Sequence, residues 1–263
     1  MCAPNGARRS QDDHARLPIT AAELADCAGD ILDAGASIMH VHVRDEAGAH
    51  SLDVDRYRNV IGAIRERVNR DLVIQVTTEA CGLYSAPEQM QLVKELRPEA
   101  VSVALRELCP DETAEAEAAA FYHWMVDNEV MPQHILYSGV DVERFEALRR
   151  KGVIPDPKPF VLFVLGRYAE NLTGDVTELT SFIEAAGDNS IWAVCCFGAT
   201  EHDAVVAAAG SGGHARVGFE NNMALPGGRA AGGNDDLVRL ATRAGLNAGR
   251  SPATADDVRA LFA

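Results

Sequence analysis

Short apolar runs rich in Val, Ile and Leu alternate with longer amphipathic stretches along the whole chain. The stretch Thr20–Ala34 spaces its apolar residues at the helical period. Thr20 predicts its N-cap, Glu23 the capping-box partner three residues on, and Gly35 its end. Ser37–Val43 follows and reads as a strand. The pattern then repeats as helix Asp53–Val68 and strand Leu72–Thr77, helix Ala86–Leu96 and strand Ala100–Ala104, helix Thr113–Asp127 and strand Met131–Tyr137. It continues as helix Asp141–Lys151 and strand Phe160–Leu165, helix Val176–Ala186 and strand Ile191–Cys196, helix Thr200–Ala209 and strand His214–Gly218. Two more helices, Asp235–Leu246 and Ala253–Phe262, complete the chain.

The strands are near-continuous apolar runs, which is what a parallel sheet buried on both faces requires. Seven such strands are each reached through a helix. If Met1–Pro4 forms a first stave, short or truncated, the count becomes eight and the fold a (β/α)8 TIM barrel. That reading needs paired backbone on the N-terminal side of Ser37–Val43. An open doubly wound sheet is the other architecture for this alternation. It lacks its usual support here, because no G-x-G-x-x-G turn follows the first full strand. No linker rich in Pro, Gly or Ser interrupts the pattern, so residues 1–263 are expected to form one domain.

Composition narrows the partners. Apolar residues make up 47% of the 263 residues and charged residues 24%, which suits a well-filled core and excludes a disordered chain. The formal charge of −15 argues against nucleic acid or an anionic membrane surface, both of which need clustered Lys and Arg. No apolar run is long enough to span a bilayer, and the charged N-terminus lacks the apolar segment of a signal peptide. The six cysteines form no C-x-x-C pair. They are expected to be reduced thiols of a cytoplasmic protein, and Cys195 and Cys196 should point to opposite faces of one strand.

Candidate chemistry concentrates at His40-Val41-His42-Val43-Arg44-Asp45. Alternation places His40 and His42 on one strand face roughly 7 Å apart, near the C-terminal strand end where barrel enzymes build their sites. Two imidazoles so placed suit a shared metal ion, with Zn²⁺ the natural guest; the alternative is a pair of hydrogen-bonded core histidines. A third ligand would come from another strand end. Glu220 in Gly213-His214-Ala215-Arg216-Val217-Gly218-Phe219-Glu220-Asn221-Asn222 is the candidate, although it could instead simply pair with Arg216. Further polar residues end other strands: Thr77-Thr78-Glu79, Ser102, Arg106-Glu107, His134, Tyr137 and Arg167-Tyr168. The arginines among them suit an anionic carboxylate ligand.

The chain resembles the β-keto acid cleavage enzymes, a family that includes 3-keto-5-aminohexanoate cleavage enzyme. The resemblance rests on Leu17-Pro18-Ile19-Thr20, Gly35-Ala36 through Asp45, Phe163-Val164-Leu165-Gly166, Trp192-Ala193-Val194 and Gly212 through Asn222. These stretches occur in order across nearly the whole chain, and the pairing of H-x-H-x-R-D with G-G-H-x-R-x-G-x-E-x-N is specific. It implies a zinc-dependent TIM barrel that condenses a β-keto acid with acetyl-CoA, giving a CoA ester and acetoacetate. On it, His40, His42 and Glu220 would be the zinc ligands, Arg216 the catalytic arginine, and Thr77 and Ser102 substrate-contact positions. A homo-oligomer is also expected.

Departures from the family pattern are informative. Asn221 stands where the family usually has an Asp able to orient the arginine. Arg8 stands where an acidic group receives the amine of an aminated keto acid, so a second anionic group on the substrate, near Arg8 or Arg106, is expected instead. The loop Ala104–Pro110, the turn Arg167–Glu170 and the segment Thr77–Ala80 all replace glycine-rich family sequences. The metal site is retained while the substrate and CoA rim is rewritten, as in a divergent branch. Two alternatives remain. One is an amidohydrolase-type hydrolase, for which His134 is a partial match. The other is a barrel that binds metal and ligand without turnover.

Overall fold

The computed structural model describes residues 1–156, 158–186 and 190–262. Its first half runs α1 (Ala21–Asp33), β1 (Ile38–Val41), β2 (Val43–Arg44), β3 (His50–Ser51), α2 (Val54–Val68), β4 (Val73–Thr77), α3 (Ala86–Leu96), β5 (Ala100–Ala104), α4 (Leu105–Leu108) and α5 (Glu115–Asp127). The second half runs β6 (Met131–Leu136), α6 (Gly139–Arg150), β7 (Phe160–Leu165), α7 (Glu178–Ala186), β8 (Ile191–Cys196), α8 (Glu201–Gly210), β9 (His214–Arg216), α9 (Asn234–Asn247) and α10 (Ala255–Phe262). The Thr20–Glu23 capping box starts α1 as the sequence requires. The six cysteines are free.

Seven strands form one parallel sheet in the order β1-β4-β5-β6-β7-β8-β9. The sheet is curled, and the first residues of the chain meet both of its outer strands. Cys2 N donates to Ile38 O at 2.9 Å and Cys2 O accepts from His40 N at 2.7 Å. On the other side, Ala3 N donates to Val217 O at 2.8 Å and Met1 O accepts from Val217 N at 3.2 Å. The backbone pairing expected beside the first full strand is therefore present, as single parallel bridges from Cys2 to Met39 and to Val217.

Several expected elements differ in their bounds. The strand predicted over Ser37–Val43 stops at Val41. Asn5 explains the break: its Nδ2 donates to His42 O at 2.9 Å and its Oδ1 accepts from His42 N at 3.4 Å, so a side-chain amide takes the place of a neighbouring strand. Val43-Arg44 then pairs antiparallel with His50-Ser51 in a small ribbon outside the main sheet. The loop expected after the fourth strand begins with the one-turn helix α4. The helix expected from Thr113 starts as a 3₁₀ turn, because Asp111 captures Thr113 N at 2.9 Å.

The core has two layers. The larger lies between sheet and helices and includes Val41, Val76, Val103, Phe163 and Leu165. The smaller lies inside the curl, where Ile38, Val73, Ala100, Leu162 and Ala193 meet Ala255 and Val258 of α10. Strand alternation puts His40, Gln75, Thr77, Ser102 and Gln133 on this inner face, and each of the five is buried. His134 has the opposite parity. Its ring lies against Tyr122 and Phe145, at 5.4 and 4.9 Å between centroids, on the helix side and away from the other candidate residues.

The loop after β9 crosses the first residues closely. Gly218 has φ +133°, and a Cβ there would fall 2.4 Å from Ala3 O. The carboxylate of Glu201, at the start of α8, accepts from Gly218 N at 3.4 Å and from Asn222 Nδ2 at 3.1 Å. Burial pushes the Glu201 carboxyl up to about 8, and these two donors only partly offset it.

Two outcomes are expected. Gly218→Ala should destabilise the fold by roughly 2–3 kcal/mol, read as a Tm lowered by several degrees. The unfolded carboxyl would titrate near 4.5 and the folded one near 8. Stability contributed by the neutral form is therefore full below pH 4.5 and is lost as pH rises towards 8. The Tm difference between wild type and Glu201→Gln should move against the wild type across that window; a difference independent of pH would refute the assignment.

Candidate metal centre and active site

The two outer strands bring three side chains together. β1 carries His40, the residue just past its end is His42, and the loop after β9 carries Glu220. One ligand atom from each lies within 4.8 Å of the others. His40 Nε2 and His42 Nε2 are 3.1 Å apart, and Glu220 Oε2 lies 3.3 Å from His42 Nε2 and 3.8 Å from His40 Nε2. The carboxylate divides its oxygens. Oε1 accepts from Arg216 Nη2 at 3.2 Å, whereas Oε2 has no hydrogen-bond partner. Glu220 thus pairs with Arg216 and also faces the two histidines.

Protonation suits metal binding. Burial, with Arg216 adding to it, holds the His40 imidazole neutral far below its usual pKa. Burial would raise the Glu220 carboxyl, but Arg216 and the two imidazoles outweigh it and keep the group ionised. Two imidazole nitrogens and one carboxylate are the donor set of a three-ligand catalytic zinc site. The residues present therefore fit such an ion.

Arg216 is 3% exposed, and its Nη2 also reaches Cys195 Sγ at 3.5 Å. Among the described residues its Nε and Nη1 have no hydrogen-bond partner. A cavity beside the cluster is lined by Arg216, Thr77, Glu79, Tyr137, Arg167 and Phe197 among others. A second, adjoining cavity shares Glu79, Arg167, Phe197 and Glu220 and adds Arg8 and Arg9.

The remaining predicted residues divide. Thr77 lines the inner cavity, and its Oγ1 accepts from Glu79 N at 3.0 Å. Arg8 lines the outer cavity, half-exposed, with Nη2 3.5 Å from Glu79 Oε1. Ser102 is buried beside Thr77 in the neighbouring strand and lines neither cavity; its Oγ has no partner. Arg106 also lines neither. It is bound to Asp141 at 2.9 Å and stacked on Tyr137 and Tyr168, with Cζ 5.4 Å from each ring. Asn221 makes no hydrogen bond to the Arg216 guanidinium: among the described residues its side-chain amide has no hydrogen-bond partner, while its backbone N donates to Gly218 O at 2.8 Å and its backbone O accepts from Gly198 N at 3.2 Å. Arg216 is oriented by Glu220 and Cys195 instead.

Three of the arginines expected to suit an anionic ligand carry counter-ions. Arg8 and Arg167 both bind Glu79 Oε1, at 3.5 and 3.1 Å, and Arg106 is neutralised by Asp141. Sequence reasoning noted Glu79 only as a strand-end residue and missed its role as a hub. It also missed His50, whose Nε2 bonds Glu79 O at 2.8 Å while its ring lies 5.4 Å from His42. Burial, with His42 adding to it, lowers the His50 pKa to about 4. Gln75 was missed as well; its polarity inside the apolar run Val73–Thr77, at the parity of Thr77, was the available signal.

The sequence profile of the β-keto acid cleavage enzymes matches residues 1–263. The chain is 29% identical over 262 residues to 3-keto-5-aminohexanoate cleavage enzyme of Fusobacterium nucleatum, covering 98% of this chain and 94% of that one. It is 24% identical over 268 residues to 3-oxoadipate:acetyl-CoA acetyltransferase of Cupriavidus necator, covering 99% and 92%. Among solved structures, ObcA bound to oxaloacetate superposes with a TM-score of 0.76 at 18% identity, over 94% of this chain and 67% of that one. For apo ObcA the TM-score is 0.74, and this chain spans 65% of its length, so the likeness is one of fold. The chain belongs to the β-keto acid cleavage enzyme family.

Proposed function

We propose that this protein is a zinc-dependent β-keto acid cleavage enzyme that uses acetyl-CoA. The acyl group of a β-keto acid would pass to CoA, and the remaining carboxymethyl fragment would take the acetyl group, giving a CoA ester and acetoacetate. The observation that carries this reading is the His40–His42–Glu220 cluster with Arg216 beside it. We read the architecture as a single-domain (β/α)8 barrel in which Met1–Ala3 is a minimal first stave, with the site at the C-terminal mouth.

A zinc ion held by His40, His42 and Glu220 would supply Lewis-acid polarisation of the substrate oxygens. The chain's own residues do the rest. Breaking the bond between the keto carbon and the carboxymethyl carbon leaves negative charge on an enolate oxygen. Arg216 offers two unengaged N–H groups in a buried setting, where they stabilise such charge far more than they would in water. Because Glu220 fixes one edge of the guanidinium, little reorganisation is needed. Thr77 Oγ1 already accepts from Glu79 N, so its hydroxyl proton is available to a substrate oxygen in the cavity.

The tail of the substrate would extend into the outer cavity. There Glu79 serves two guanidiniums, Arg8 and Arg167, so within this trio one positive charge is unbalanced, while Arg9 is paired with Asp13. That favours a small β-keto acid with a second anionic group over an aminated one. The relative named for 3-oxoadipate is consistent with this preference.

Purified protein should contain about one zinc per chain by elemental analysis. It should form a CoA ester from at least one member of a β-keto acid panel with acetyl-CoA, and a chelator should abolish the reaction. His40→Ala and Glu220→Ala should lose the metal while keeping the far-UV circular dichroism of the fold. Stoichiometric zinc in Glu220→Ala would remove that residue from the ligand set, and zinc-loaded protein that turns over no keto acid would refute the activity. Arg8→Glu should lower kcat/KM for dicarboxylic β-keto acids by roughly three- to tenfold, and high salt should shrink the effect, since Arg8 is half-exposed.

A further inference from the structure

Two primary amides lie inside the curl of the sheet, where aliphatic side chains would otherwise fill the space. Gln75 and Gln133 are each at most 1% exposed. Buried amides are retained without penalty only when they are hydrogen-bonded. Here they form one line. His40 Nδ1 lies 2.9 Å from Gln75 Oε1, Gln75 Nε2 donates to Gln133 Oε1 at 3.3 Å, and Gln133 Nε2 approaches Met1 Sδ at 3.5 Å. The register of the sheet creates this line, because it places Gln75 directly beside His40 on the inner face.

The line has a direction. A thioether sulfur accepts and cannot donate, so the Gln133 amide turns its NH₂ towards Met1 and its carbonyl towards Gln75. Gln75 must then present its own NH₂ to Gln133 and its carbonyl to His40. A carbonyl facing Nδ1 requires that nitrogen to carry the proton, which leaves the Nε2 lone pair directed at His42 and Glu220. We propose that Gln75, oriented by Gln133, is a positioning residue that fixes the His40 tautomer and ring angle so that Nε2 is ready to ligate. The proposal rests on the metal reading of the site for its consequence, but the tautomer is a property of the chain alone. Among the described residues no hydrogen-bonding group serves His42 in this way: its Nδ1 has no hydrogen-bond partner there, and Asn5 holds its backbone. His40 is therefore the ligand whose geometry the interior sets.

The test measures both levels on the full-length protein. Nitrogen-15 NMR of histidine-labelled, chelator-treated wild type should show His40 as a single tautomer protonated at Nδ1. Gln75→Leu should convert that signal to a mixture. Competition with a chromophoric chelator should show a zinc Kd raised about 10- to 100-fold in Gln75→Leu, with Gln75→Glu, which keeps the acceptor, returning most of the affinity. Gln133→Leu should shift both readouts in the same direction by less. If Gln75→Leu does not fold, Gln75→Asn, which withdraws the acceptor by one methylene, carries the same expectations. An unchanged tautomer, or a changed tautomer with zinc affinity within about twofold of wild type, overturns the proposal. Wild type that binds no zinc while its His40 tautomer still follows residue 75 would overturn the metal reading and leave the orientation of His40 standing.

Discussion

Everything at the candidate site depends on the backbone of three residues. Met1–Ala3 hydrogen-bonds on one side to β1 and on the other to β9 and Val217. Those strands are the two edges of the seven-stranded sheet, so without this link the histidines and the glutamate would sit at opposite ends of it. The same segment continues into Asn5, which holds the backbone of His42, and its Ala3 oxygen receives Glu220 N at 3.2 Å. A short length of chain thus does what a full strand does elsewhere, and it does so beside the residues whose spacing matters most. The glycine at 218 follows from this crowding, since any side chain there would enter the Ala3 carbonyl.

The strength of the site comes from charges that are buried together. Arg216 is almost fully enclosed and would be costly alone; Glu220 is equally dependent on it. Their pairing leaves each partly unsatisfied, with one carboxylate oxygen and two guanidinium nitrogens unused. Unmet bonding capacity in a buried setting is what a ligand-binding centre needs. Glu201 and Asn234 secure the loop behind them: Asn234 Oδ1 accepts from Phe219 N at 2.9 Å, and Glu201 takes Gly218 N and Asn222 Nδ2.

Much of this was legible in the sequence, for identifiable reasons. The helix and strand alternation is a matter of hydrophobic period; Ala86–Leu96, Ala100–Ala104, Phe160–Leu165 and Ile191–Cys196 keep their predicted bounds, and the other predicted strands and helices are present with shifted ends. The shared face of His40 and His42 follows from strand parity even though the strand stops between them, because Asn5 keeps His42 in an extended backbone. Arg216 and Glu220 were legible as same-parity residues at a strand end. Depth and partnership were not legible. Parity cannot separate Thr77, which lines the cavity, from Ser102, which is buried one strand away. Nor can it show that Arg106 is committed to Asp141 and two tyrosines. Asn221 was assigned to Arg216 by resemblance, whereas its side chain makes no hydrogen bond to it. Side-chain hydrogen bonds across distant strands depend on rotamers that no local pattern encodes.

Glu79 has a consequence for how the outer cavity behaves between turnovers. Two guanidiniums held near one another repel, and in an empty site they would tend to swing apart into solvent. A resident carboxylate acts as their permanent counter-ion and keeps both in place. On the proposed function, an incoming anion would meet a half-built coordination shell rather than two mobile arms. It joins by sharing the arginines and does not need to gather them, so the ordering entropy is settled at folding and is not charged against binding.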